Sequence, residues 1–284
     1  MEFSMTYAAE KLINLADYPI HIPGPARDAV LARVRGALAQ DGCAVIKKFL
    51  TPAGIAALTA EADSVAEQGH RSFNRTNAYF TQDDPSLPQD DPRRQFYDRS
   101  NAFIPADNFV ADAPLRSVYD FPGFDEFIRE CLQEEAFYRY ADPLADVIVN
   151  MAEEGNGFPW HFDTNNFTVT LAIQNAESGG AFEYAPGIRE GDENFAEVAR
   201  VLAGTSDRVK VLELEPGDLQ LFRGRYSLHR VAPLRGARRR YVAIFSYVQE
   251  PGMVGAPERT MQLYGRTLPI HHQRAGQRND AYID

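Results

Sequence analysis

Cysteine is scarce in this chain. Among 284 residues only Cys43 and Cys131 occur, and neither belongs to a Cys-x-x-Cys pair. That excludes a disulfide scaffold and a cysteine-built zinc site, and it suits a reducing compartment. Long apolar runs are also missing. No stretch approaches the ~20 residues of a membrane span, and MEFSMTYAAEKL has no apolar leader core. A cytoplasmic location is the default expectation. Basic residues are outnumbered, 29 Lys and Arg against 40 Asp and Glu, for a formal charge of −11. Extended contact with nucleic acid or an anionic membrane is therefore disfavoured. Histidine is rare as well, with six in the chain: His21, His70, His161, His229, His271 and His272.

What is present is globular. Apolar residues make up 44%, and 18 Phe and 13 Tyr are more than a disordered chain carries. The length suits one sizeable core. The first half reads as mostly helical. Val30, Leu31, Val34 and Leu38 recur at helical spacing between Pro25 and Gly42, natural start and stop signals. CAVIKKFL from Cys43 reads as a short strand, TPAG from Thr51 opens a second helix, and DEFIRECLQEEAFYRY from Asp125 is helical again. Residues 74–98, rich in Pro and Asp, read as a loop or lid margin. After Pro143 the pattern changes to short β-branched and aromatic runs separated by Gly and Pro: DVIVNMA, FTVTLAIQ, AFEYAP, RVKVLEL, LQLF and YVAIFSYV. These predict a sandwich or barrel, interrupted by a helical insertion over Glu190–Thr205. The expected organisation is a single catalytic domain over 1–284. Residues 1–145 supply helical support and substrate-side loops, 146–251 the β core with the site, and 252–284 a C-terminal extension.

His161 lies in PWHFD two residues before Asp163, so on an extended segment both side chains address one point. His229 follows in LFRGRYSLHRVAP, where a strand meets a turn. Two imidazoles and one carboxylate hold Fe(II) while leaving coordination positions open. Their single negative charge leaves the centre positive and receptive to a bidentate 2-oxo acid. A zinc hydrolase site is an alternative use of the same ligands. A 2-oxo acid with a second carboxylate also needs a cation. GARRRYVAIFSY offers Arg238, Arg239 and Arg240 at the start of a strand, with Arg238 and Arg240 on one face. Arg240, eleven residues beyond His229, is the first choice and Arg238 the second, with Thr168, Thr170 and Asn150 as neutral partners. Near residues 94–101, RRQFYDRSNAF supplies Arg94, Tyr97 and Arg99 as substrate-side candidates, and Trp160 can wall the pocket.

HFD at 161–163, GGAFEYAP at 179–186, EPGDLQLFRGRYSLHRVAP at 215–233 and GARRRYVAIFSY at 236–247 together resemble the iron(II)/2-oxoglutarate-dependent dioxygenases. The match spans about Val147 to Pro251. The resemblance implies a mainly β core, a double-stranded β-helix or jelly roll with supporting N-terminal helices. It implies metal ligands at His161, Asp163 and His229, and 2-oxoglutarate on Arg240 or Arg238. The implied reaction couples oxidative decarboxylation of 2-oxoglutarate to hydroxylation of a C–H bond by dioxygen. Related enzymes desaturate or cyclise with the same site. Halogenating relatives carry a small residue at the carboxylate position, and Asp163 argues against that outcome. VNMAEEGNGFPW lacks the tyrosine that many prolyl-hydroxylase-like members place before HxD, so 2-oxoglutarate takes another hydroxyl here. A small molecule, an amino acid or its derivative, is the expected substrate. The competing readings are a cupin-like metal-dependent isomerase or hydrolase and a non-catalytic barrel sensor. Oligomeric state is not legible.

Overall fold

The computed structural model describes residues 9–273. The first eight residues of the leader reading, and 274–284 of the expected C-terminal extension, lie outside that range. Two antiparallel sheets form the frame. The major sheet has seven strands in the order Cys43–Ile46, Leu219–Phe222, Thr168–Gln174, Arg240–Phe245, Val147–Ala152, Tyr97–Ile104 and His70–Thr76. The minor sheet has four, in the order Lys210–Leu212, Phe182–Ala185, Leu228–Val231 and Phe158–His161. This is the jelly roll that the sequence resemblance implies.

Strand periodicity makes the major sheet two-faced. Val147, Val149, Val169, Leu171, Leu219, Leu221 and Phe245 join the main apolar core. That core also takes Val30, Leu31, Val34 and Leu38 from the helix Pro25–Asp41 and Leu58 and Ala62 from the helix Pro52–Val65. The alternate residues Asn150, Thr168, Thr170, Gln220 and Val242 line a chamber between the sheets. The helices therefore fix one face of the sheet and free the other for chemistry. Their boundaries follow local rules. Pro25 occupies the first turn, Gly42 closes the first helix in a left-handed conformation (φ 61°) with its N–H donating to the Leu38 carbonyl, and the Thr51 side chain caps the second by accepting from Gly54 N. The expected insertion contains the helix Phe195–Leu202.

Two sequence expectations need correction. The first half is less helical than its pattern suggests, because His70–Thr76 and Tyr97–Ile104 pair with each other and extend the major sheet through Val147–Ala152. HRSFNRT is an edge strand with polar residues, and Phe73 is 76% exposed, so it lacks the buried alternation that marks a strand. The helix from Phe124 ends at Leu132, where Gln133 turns left-handed (φ 59°), and Tyr138–Arg139 pairs with Tyr247–Val248. Among the described residues, no helix is long and apolar enough to cross a membrane.

Candidate metal centre and substrate chamber

His161 and His229 face each other across the minor sheet as register partners, with ring centroids 4.1 Å apart. The strand Phe158–His161 ends at His161, so simple alternation does not place Asp163. Two backbone hydrogen bonds do. Phe162 N donates to the Ala78 carbonyl (3.0 Å) and Asp163 N to the Gly224 carbonyl (3.1 Å). Asp163 Oδ1 then lies 3.5 Å from His161 Nε2 and 3.4 Å from His229 Nε2, and one ligand atom from each residue falls within 4.8 Å of the others. The Thr168 hydroxyl donates to Asp163 Oδ2. Gly224 leaves room for that carboxylate, since a Cβ at this position would sit 1.8 Å from Oδ2.

The imidazole tautomers follow from their anchors. His161 Nδ1 is 2.7 Å from the Pro159 carbonyl and His229 Nδ1 is 2.9 Å from the Ser227 carbonyl. A carbonyl only accepts, so each Nδ1 carries the proton and each Nε2 presents a lone pair beside Asp163. Burial, together with the nearby His229, pushes the His161 pKa down to about 3. Two neutral nitrogens and one anionic oxygen, convergent on a cavity wall, fit a divalent transition metal.

The chamber beside this trio has a volume of about 200 Å³. Arg240, first residue of its strand, is buried and reaches into it. Burial pushes its pKa down to about 10, and no carboxylate among the described residues pairs with it. Gly180 (φ 74°) lies flat against it, because a Cβ there would sit 3.2 Å from Arg240 Cδ. Arg239 points the other way, to Glu153 (3.0 Å) and Glu67 (3.1 Å). Arg238 is exposed and donates to the Ala176 carbonyl. Thr168, Thr170 and Asn150 all line the chamber; Thr170 donates to Gln220 Oε1 (3.0 Å) and Asn150 to the Ala102 carbonyl (3.2 Å).

Arg99, which also lines the chamber, is 4% exposed. Its guanidinium carbon lies 4.1 Å from the centroid of Phe158 and 4.8 Å from that of Phe80. Such contacts are worth about 0.5–2 kcal/mol each but leave the charge intact. Phe80 is held in a left-handed backbone conformation (φ 60°), a cost of about 1–3 kcal/mol that the surroundings must offset. The fully buried Asn77 does so: its Oδ1 accepts from Tyr79 N and Thr81 N, and its amide donates to the Thr81 hydroxyl and the Arg93 carbonyl.

The other substrate-side candidates lie elsewhere. The Tyr97 hydroxyl donates to the Trp160 carbonyl, and both residues line a neighbouring groove with Arg230, whose guanidinium is 4.8 Å from the Trp160 ring. Arg94 pairs with Asp83 (2.9 Å) and donates to the Leu87 carbonyl. Sequence reasoning missed Phe80, Gly224 and Arg259. Arg259 enters the chamber wall from the helix Pro257–Tyr264. Only Gly224 had a legible signal, as part of the FRGRYSLH segment.

A family model described as Halogenase D (HalD) matches residues 26–255. No curated protein matches the chain. Solved structures share the fold at low identity. The non-haem α-ketoglutarate-dependent epimerase SnoN of nogalamycin biosynthesis is 13% identical, with TM-score 0.53, over 78% of this chain and 83% of its own. AviO1 from Streptomyces viridochromogenes is 19% identical, with TM-score 0.52, over 81% and 97%. A prolyl hydroxylase from Trichoplax adhaerens, in complex with a peptide fragment, is 15% identical, with TM-score 0.51, over 78% and 90%.

Proposed function

The chain belongs to the Halogenase D family, which is of the iron(II)/2-oxoglutarate oxygenase type, and from that premise we propose that it hydroxylates a C–H bond of a small molecule, an amino acid or a derivative of one. In the balanced reaction, substrate, dioxygen and 2-oxoglutarate give hydroxylated substrate, succinate and carbon dioxide. The observation that carries this reading is the meeting of His161, Asp163 and His229 at the wall of a chamber that also holds the unpaired Arg240. A hydrolase using the same ligands has no evident need for that buried cation.

In this reading His161, Asp163 and His229 hold a ferrous ion. With 2-oxoglutarate bound, that ion would activate dioxygen, which takes two electrons from the decarboxylating oxo acid and two from the substrate C–H bond. The protein supplies the geometry. Proton-carrying Nδ1 atoms keep both Nε2 lone pairs aimed at the site, and Thr168 fixes the free carboxylate oxygen of Asp163. Arg240 takes the distal carboxylate of the oxo acid, where the low dielectric strengthens a two-pronged guanidinium contact. Arg99 takes a carboxylate of the substrate. Phe80, Phe158 and Phe182 line the chamber and exclude water from it.

Adding Fe(II) and 2-oxoglutarate without oxygen should produce a weak visible charge-transfer band, and oxygen should then release succinate. A protein that takes up Fe(II) yet shows neither band nor succinate is not this enzyme. The family description favours a second outcome, halogenation. Asp163 opposes it, because its carboxylate fills the position that a metal-bound halide requires. Mass analysis of products made in excess chloride decides: a gain of one oxygen supports hydroxylation, and replacement of hydrogen by chlorine overturns it.

A further inference from the structure

Arg259 has no role in the function proposed above. Its guanidinium carbon lies 4.8 Å from the centroid of Phe80, the same separation that Arg99 shows from that ring. One phenyl group thus has two cations against it. Arg99 is only partly satisfied. With the Asn101 amide turned so that its oxygen faces the guanidinium, it accepts from Nε and Nη2 (the latter 2.7 Å), while Nη1 is buried without a partner. Arg259 Nη1 donates to the neutral Gln262 Oε1 at 3.2 Å. Burial disfavours the charge on both groups, and on Arg99 the like charge of Arg259 adds to the effect.

Arg99, Arg240 and Arg259 line the chamber, and among the described residues Asp163 is the sole carboxylate that does. A ferrous ion and dianionic 2-oxoglutarate cancel, so the loaded chamber keeps two positive charges in excess. Unneutralised charge in a water-poor site is costly, and a ligand that supplies the missing anions gains accordingly. A substrate ammonium would find no free carboxylate here and would face two cations. The two guanidiniums come from different elements, the strand Tyr97–Ile104 and the helix Pro257–Tyr264. That arrangement suits two separate acidic groups better than one.

We propose that Arg99 and Arg259 together bind a small dicarboxylate substrate in the chamber, one carboxylate to each guanidinium, and that Arg259 selects this dianion over monoanionic and cationic compounds. Candidate ligands are simple dicarboxylic acids and acidic amino acids with an acylated amine. The proposal rests on the oxygenase reading, because the metal and the oxo acid enter the charge count.

The test is equilibrium binding to the full chain loaded with Zn(II) and saturating 2-oxoglutarate, which cannot turn over. The panel comprises dicarboxylic acids of three to eight carbons, N-acetylaspartate and N-acetylglutamate, their monoamides, and free lysine. At least one dianion should bind about 10–100-fold more tightly than its monoamide, and lysine should not compete. Arg259→Gln should erase that preference, whereas Arg259→Lys should retain part of it. A panel in which no dianion outbinds its monoamide, or a preference that survives Arg259→Gln, overturns the proposal. The anaerobic Fe(II)/2-oxoglutarate band separates the two readings. Band present with no dianion preference removes the arginine pair, and dianion preference with no band removes the oxygenase.

Discussion

Among the described residues, two histidine–aspartate clusters have opposite character. At the chamber, His161 and His229 each tie Nδ1–H to a backbone carbonyl and turn a bare Nε2 toward Asp163. Beneath the C-terminal helices, His271 and Asp142 are fully buried and 3.0 Å apart, closer than either pair in the trio. Yet His271 Nδ1 accepts from Leu268 N, so its Nε2 carries the proton and donates to Asp142. The Asp142 carboxylate also accepts from Leu144 N and Gly255 N. One cluster has imidazole lone pairs to spare and the other has none. Proximity of imidazole and carboxylate is therefore not what makes a ligand set. The decision lies with whatever holds the remote ring nitrogen.

Of the two clusters, the chamber trio should hold the metal. Asp163→Ala should lose bound iron and reduce turnover by more than about 100-fold, read by iron content per chain and succinate release. Next in size, Arg240→Ala should keep iron but weaken 2-oxoglutarate by about 10–100-fold. Arg238→Ala, which alters an exposed side chain, should stay within about twofold; the reverse ranking would show that the strand register is misread. The smallest effect on turnover belongs to the closed cluster. His271→Ala should leave iron content unchanged while lowering stability by about 2–3 kcal/mol through the loss of a buried charge-assisted hydrogen bond, measured by denaturant unfolding. Loss of iron there would erase the distinction between the clusters.

The parts legible from sequence were those where chemistry is concentrated in rare residues or strict periodicity. Histidine is uncommon here, so His161 and His229 stood out against the strands around them; alternation set Arg239 apart from Arg238 and Arg240, and the eleven-residue spacing from His229 favoured Arg240. Asp163 was found for a reason that proved incomplete: its placement depends on the Gly224 carbonyl and the Thr168 hydroxyl, contacts made across 61 and 5 positions respectively. His70–Thr76 was hidden because a polar edge strand leaves no buried stripe to read, and Tyr97–Ile104, an interior strand, because YDRSNAFI starts with polar residues and turns apolar only from Ala102. Tyr97 and Trp160 were sensible aromatic candidates, but they lie along a groove that sequence spacing does not distinguish from the chamber. Arg259 had no signal at all. It reaches the chamber from a helix past the last core strand, and only the folded chain brings it beside Phe80.

The Asn77 turn has one further consequence. Because a single buried amide fixes the backbone from Tyr79 to Thr81, the Phe80 ring stands in place before any guest arrives. Recognition at that rim should consequently be rigid: the entropy of arranging it is lost once, when the chain folds, and not again at every catalytic cycle.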